Sequence, residues 1–237
     1  MLDNNAQLPL YKQMKEIIKN KIASEEYKVS DKIPTEPELR ELFGVSRVTV
    51  RKAIEELVAE GYLVKKQGKG TFVSHKKVSR KIEYVSGFTD SCLQNGFVPS
   101  SIVLEYKVIP ASEEIARQLQ IAVGEDVIFT KRKRFADKTP ILLENNYFSK
   151  KDYAFLMNEN LEGSLYRLLS EKYNIIPENP KETSLEIVVA DEMLATDMDV
   201  AIGTPFFYME TMIADQNHKP IHVGHQYYLG DYYKFSI

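Results

Sequence analysis

The chain has no tryptophan, one cysteine and four histidines in 237 residues. A single cysteine, Cys92, excludes an internal disulfide, so packing alone must hold the fold. The histidines (His75, His218, His222, His225) show no metal-ligand spacing with it, so no metal and no other cofactor is expected. No Ser/His/Asp set is recognisable either, which argues against an enzyme. No apolar run is long enough to span a membrane. Met1 to Gln7 lacks the basic-then-apolar layout of a signal peptide. These absences lead us to expect a cytoplasmic protein with no membrane attachment.

What is present fits a globular protein of two domains, 43% hydrophobic and 27% charged. The net charge of −3 hides an asymmetry. Residues 1–77 carry 15 Lys/Arg against 11 Asp/Glu, a net of +4, and residues 78–237 carry 16 against 23, a net of −7. A nucleic-acid partner would therefore be met by the first part.

The stretch Pro34 to Val73 has a readable grammar. Thr35 with Glu38 is a capping box that opens a helix. Gly44 closes it, and Ser46 is a good N-cap for the next helix. There Val50, Ala53, Ile54 and Leu57 recur on one face, with Arg51, Lys52 and Glu55 opposite. Arg47 and Arg51, with Ser46 and Thr49, thus stand near an open N-terminal turn, as a recognition helix in a major groove requires, the arginines to bond guanine and the hydroxyls to bond phosphate. Tyr62 to Val73 follows as a β-hairpin with a basic, glycine-rich tip around Lys69 and Gly70. Upstream, Leu8 to about Ala23 makes a bracing helix with a buried stripe of Leu10, Met14, Ile17, Ile18 and Ile22.

Residues 8–73 resemble the winged helix-turn-helix of the GntR family of bacterial transcription regulators. The matching text is Pro9-Leu10-Tyr11, Ile33-Pro34-Thr35-Glu36, Phe43 to Arg51, Leu57 to Leu63 and Gly68 to Val73. The resemblance implies DNA contacts from Arg47, Thr49 and Arg51 and from the wing at Gly70. Many members carry arginine where this chain has Pro37, and Arg40 is the candidate substitute.

Residues 75–81 are basic and poor in large apolar residues, and are read as an interdomain linker between a domain of 1–74 and one of 82–237. The second domain contains a repeat. Ile115-Ala116 and Ile121-Ala122-Val123-Gly124 match Leu194-Ala195 and Val200-Ala201-Ile202-Gly203 at an offset of 79. Each unit reads strand, short helix, strand, turn, strand, with Ser112 and Asp191 as helix caps. Two such units predict an α+β domain, a mostly antiparallel sheet flanked by helices. This arrangement resembles the UTRA effector-binding domain of the HutC subfamily, whose fold is similar to chorismate lyase.

Repeated units share their fold-building residues, so differences between copies mark function. Arg132 and Arg134 leave one face of a strand and have no arginine counterparts near Thr211 and Ile213. No local acid partner is evident, and paired guanidiniums suit a phosphate or carboxylate. In phosphosugar-responding members of the subfamily, the resemblance implies a phosphate held by positions matching Phe88, Thr89, Arg132, Arg134, Ser164 and Tyr166. Glu144 and Tyr228 match positions that touch the sugar. His222 stands where such members often carry an acid, which argues against an amino sugar.

The expected function is a homodimeric repressor on an inverted-repeat operator of double-stranded DNA, released by a small anionic effector, a sugar phosphate foremost. A carboxylate or amino acid derivative is the alternative effector. A lyase-like enzyme is the rival class, and it would leave the basic wing unexplained.

Overall fold

A computed structural model describes residues 8–74, 77–82 and 84–236. Residues 75 and 76, including His75, and the stretch 1–7 lie outside the described residues. The chain divides into two compact units between Lys77 and Val78.

In the first unit, helix α1 (Leu10–Ala23) starts after Pro9, and α2 (Glu36–Phe43) and α3 (Arg47–Ala59) form the helix-turn-helix. The Glu38 carboxylate accepts from the Thr35 backbone N–H and hydroxyl, both at 2.7 Å. Gly44 ends α2 at φ 63°, a left-handed conformation that costs a glycine little. Ser46 Oγ accepts from Thr49 N–H at 3.2 Å and caps α3. The core joins Met14 and Ile18 of α1 to Leu39 of α2 and to Val50, Ala53, Ile54 and Leu57 of α3. Lys15 and Lys19, expected outside the stripe, instead tie α1 to α3. Lys15 Nζ lies 2.7 Å from Glu56 and from Glu60, and Lys19 Nζ lies 2.7 Å from Glu60. The wing is a hairpin of β1 (Leu63–Lys66) and β2 (Gly70–Val73).

The second unit begins with β3 (Val78–Lys81) and α4 (Phe88–Gln94). The first repeat follows as β4 (Pro99–Pro110), α5 (Glu113–Leu119), β5 (Asp126–Ala136) and β6 (Thr139–Ser149). Next come α6 (Lys150–Tyr153), a 3-10 turn (Ala154–Asn158) and α7 (Leu165–Tyr173). The second repeat is β7 (Pro177–Val189), α8 (Glu192–Met198), β8 (Pro205–Asp215) and β9 (Pro220–Leu229), followed by β10 (Tyr233–Ser236). The repeats form one antiparallel six-stranded sheet in the order β4-β5-β6-β9-β8-β7, so the two hairpins meet at β6–β9 with pseudo-two-fold symmetry. Ser112 and Asp191 cap α5 and α8 as expected.

One expectation is corrected here. Residues 78–81 are not linker. They form β3, which pairs in parallel with β10, and Val78 is fully buried beneath it. A density of basic residues with one large apolar residue, Val78, hid a short strand whose partner lies at the other end of the chain.

Burial at Leu57 should make the first unit sensitive to truncation. Leu57→Ala is expected to destabilise it by about 2–5 kcal/mol, read from the urea midpoint of wild type and variant.

Candidate functional sites

The open side of α3 and the wing form the first site. Arg47 and Arg51 are exposed, as are Arg40 on α2 and Lys69 at the wing tip. Arg51 is within 3.9 Å of Glu55 one turn on, a loose surface pair. Ser46 and Thr49 are bonded to each other through their hydroxyls at 2.9 Å, so Ser46 acts as a cap and its oxygen is already engaged. Gly70 has φ 125°, and a Cβ there would lie 2.5 Å from Lys32 Cε. The glycine lets the Lys32 side chain lie beside the wing, a basic residue that the sequence reading missed. Val48 is 76% exposed between Arg47 and Thr49, an apolar group on an otherwise polar turn.

The second site is a tight pocket of about 20 Å³ in the second unit. Its floor is one face of the sheet, with Arg132 and Arg134 on β5, Glu144 and Asn146 on β6, and His222 and Gln226 on β9. Phe88 and Thr89 open α4 on one wall, and Ser164, Leu165 and Tyr166 open α7 on another. The structure thus brings together Phe88, Thr89, Arg132, Arg134, Glu144, Ser164, Tyr166 and His222 around one pocket.

Both arginines are 2% exposed on an interior strand. They are not without an acid partner, as the sequence reading had it. Glu144 Oε2 lies 2.7 Å from Arg132 Nη2 and 3.6 Å from Arg134 Nη1. A β-bulge after Arg134 shifts the hairpin register by one, pairing Arg134 with Leu142 and Arg132 with Glu144. A regular hairpin would have turned Glu144 to the opposite face. The same irregularity in the second repeat sets His222 opposite Ile213. The intervening Lys131 and Lys133 point the other way, to Asp197 and Asp199, each at 2.9 Å.

The remaining donors of the arginines hold the cavity walls. Arg132 Nη1 donates to Leu161 O at 3.0 Å, and Arg134 Nη1 to Gly163 O at 3.4 Å. Arg134 Nη2 donates to Thr89 Oγ1 at 3.2 Å, with its guanidinium 4.5 Å from the Phe88 ring centre. Even so, Nε of Arg80, Arg132 and Arg134 and Oδ1 of Asn146 are buried with no hydrogen-bond partner among the described residues. Buried polar atoms are rarely left so. Gly224 on β9 keeps the floor open, since a Cβ there would lie 3.1 Å from Asn146 Oδ1.

Electrostatics follow from burial. Burial lowers the Arg134 guanidinium to about 10, with Glu144 opposing and Arg132 adding to the fall. Burial would raise Glu144, but Arg132, Arg134, His222 and Arg80 outweigh it and hold its carboxyl below the usual range. Burial drives His222 down to about 4 against the pull of Glu144, so the ring is neutral near pH 7, with Nε2 3.1 Å from Tyr166 OH. The lining therefore carries three arginines, a neutral histidine and one carboxylate, Glu144.

Two expectations change. Tyr228 is fully buried and does not line the cavity. Its hydroxyl bonds to Arg80 and Gln226, which do, so it backs the wall. Arg80, Ser86, Gly87, Asn146 and Gln226 are lining residues that the sequence reading did not name. Repeat symmetry offered a signal for one pair, because Asn146 and Gln226 are the polar residues at matching places on β6 and β9.

Comparison with known proteins finds a family match for each unit. The family model for bacterial regulatory proteins of the gntR family matches residues 10–73, and the UTRA domain model matches residues 94–234. The HTH-type transcriptional regulator YurK of Bacillus subtilis is 35% identical over 94% of this chain and 92% of its own length. A protein of Escherichia coli K12 named "Probable fructoselysine utilization operon transcriptional repressor" is 33% identical over 91% of this chain and 88% of its own. The crystal structure of PhnF from Mycobacterium smegmatis has the same fold, with a TM-score of 0.81 over 94% of this chain and 97% of that one, at 23% identity. The chain belongs to the GntR family and pairs its winged helix-turn-helix with a UTRA domain. It is a DNA-binding transcription regulator and not an enzyme. No helix among the described residues is long and apolar enough to cross a membrane.

His222 gives stability a pH dependence of fixed sign. The folded protein keeps it neutral to about pH 4, while its ordinary value is 6.5. Between these values the unfolded chain binds more protons, so stability falls as pH drops through that window, by on the order of 3 kcal/mol. Glu144, held low, adds a loss in the same direction at more acid pH. Urea unfolding at about pH 7 and about pH 4.5 should show a smaller acid loss for His222→Asn than for wild type.

Proposed function

We propose that the protein is a cytoplasmic repressor that binds an inverted-repeat operator as a homodimer and leaves it when a small anionic effector, a sugar phosphate foremost, enters the cavity. The observation that carries the effector class is the cavity's charge. Arg80, Arg132 and Arg134 face the single carboxylate of Glu144, leaving a net of +2 with His222 neutral. That matches a phosphate monoester, which carries between one and two negative charges near neutral pH. The unpartnered Nε donors would then find acceptors. The polar groups of Asn146, Gln226 and His222 line the same space and suit hydroxyls of a sugar. The similarity to a repressor named for fructoselysine utilization supports a sugar-derived ligand.

On the DNA side, Arg47 and Arg51, exposed at the start of α3, read bases, while Thr49, Arg40, Lys69 and the Gly70 backbone meet phosphates and Ser46 holds the helix start as its cap. The effector acts by binding one arrangement of the dimer more tightly than the other.

Thermal melting against hexose phosphates, their free sugars and small carboxylates tests the effector class. A ligand of the folded state adds about 2.7 kcal/mol at a hundred times its dissociation constant. The melting temperature should rise with a sugar phosphate and not with its free sugar, and the rise should vanish in Arg134→Gln. That variant spares the closer Arg132–Glu144 pair. A shift with carboxylates alone would transfer the site to amino acid derivatives. On the DNA side, Arg47→Ala should weaken operator binding by about 1–3 kcal/mol, measured by fluorescence anisotropy on labelled operator.

A further inference from the structure

Arg80 comes from an unexpected place. It stands on β3, three residues after Lys77, where the first unit ends. It belongs to a basic run that would ordinarily face solvent, yet the strand's alternation sends Val78 and Arg80 inward. Val78 joins the core with Phe88, Tyr228 and Tyr233. Arg80 donates to Tyr228 OH and to Gln226 Oε1 (3.5 Å), and its Nε is buried and unpartnered. A third guanidinium is thus gathered beside two others that share one acid, which costs free energy unless an anion answers it.

The strand that carries Arg80 is lightly held. Among the described residues, β3 pairs only with β10 and takes no place in the six-stranded sheet. Its second tie is Asn95 at the end of α4. Asn95 Oδ1 accepts from Ser79 N–H at 3.1 Å, and Asn95 Nδ2 donates to Ser79 O at 3.2 Å. The other end of α4 carries Phe88 and Thr89 on the cavity wall.

We propose that Arg80 is a third anion-binding arginine of the cavity, and that through it occupancy of the cavity is read by the first strand after the DNA-binding unit. The inference rests on the reading of the cavity as an anion site. Its present acceptors are two neutral groups, and a phosphate would offer Arg80 a charged one. An anion held jointly by Arg80 on β3 and Arg134 on β5 links a two-stranded outlier to the main sheet. Effector binding then favours a docked β3, the point where the connection to the DNA-binding unit begins. By linkage, operator binding that prefers β3 less firmly docked is weakened by the same factor.

The test uses the full chain as wild type, Arg80→Gln, Arg80→Lys and Arg134→Gln. Inorganic phosphate and glucose 6-phosphate are the probes, titrated by calorimetry. Operator DNA selected by the protein from random sequence is titrated with and without saturating probe. Arg80→Gln should bind the probes roughly ten- to a hundredfold more weakly, the loss of one charge-assisted hydrogen bond. At saturation its operator affinity should no longer differ between the two conditions. Arg80→Lys, which keeps the charge and serves if Arg80→Gln does not fold, should retain part of both effects. If the Arg80 variants bind and release as wild type while Arg134→Gln loses binding, the role of Arg80 is overturned and the anion site stands. Weaker binding with undiminished release at saturation overturns the transmission. If wild type binds neither probe, the anion reading fails and Arg80 falls with it.

Discussion

The buried contact of Arg132, Arg134 and Glu144 is the constraint around which the second unit is arranged. Two guanidiniums on an interior strand cannot be left to water, and one carboxylate answers only part of their charge. The rest goes into the cavity walls. Carbonyls of Leu161 and Gly163, just before α7, and the hydroxyl of Thr89 on α4 all accept from the pair. The same side chains therefore build the pocket and supply its charge. Replacing such a cluster by apolar residues would often stabilise a protein, so its cost points to use.

The pseudo-symmetric sheet explains how that cluster can exist on one side only. Both repeats have the same order of strands, a side-chain-capped short helix and the same bulge in the hairpin, and both put their short helices on the opposite face. At matching places the first repeat has Arg132 and Arg134, and the second has Thr211 and Ile213. On the other face Lys131 meets Asp197 of α8, while its counterpart Glu210 meets Gln118 of α5 at 2.6 Å. The scaffold is shared and the charges are not, so the buried charge cluster belongs to one half of a repeated frame.

How much was legible follows from whether a feature is local. The helix-turn-helix could be read because caps, a left-handed glycine and a helical stripe are written within a few residues of one another. The repeat could be read because its offset is fixed. The acid partner of the arginines could not, because a one-residue bulge decides which face Glu144 occupies, and nothing in the local sequence marks it. Arg80 was hidden for a different reason. Its strand exists only by pairing with β10 at the far end of the chain, so its residues read as a charged connector. Tyr228 was placed one layer too far forward, since a strand pattern gives the face of a residue and not its depth.

The most direct measurement is the dissociation of the protein from its own operator, followed by fluorescence anisotropy at fixed salt while a sugar phosphate is added. Salt must be held constant because phosphate contacts make the affinity steeply salt-dependent. The account predicts release at low concentrations of one sugar phosphate, with no release by its free sugar at the same concentration. Release by the free sugar and the phosphate alike, or by neither while a neutral ligand releases the operator, would contradict it.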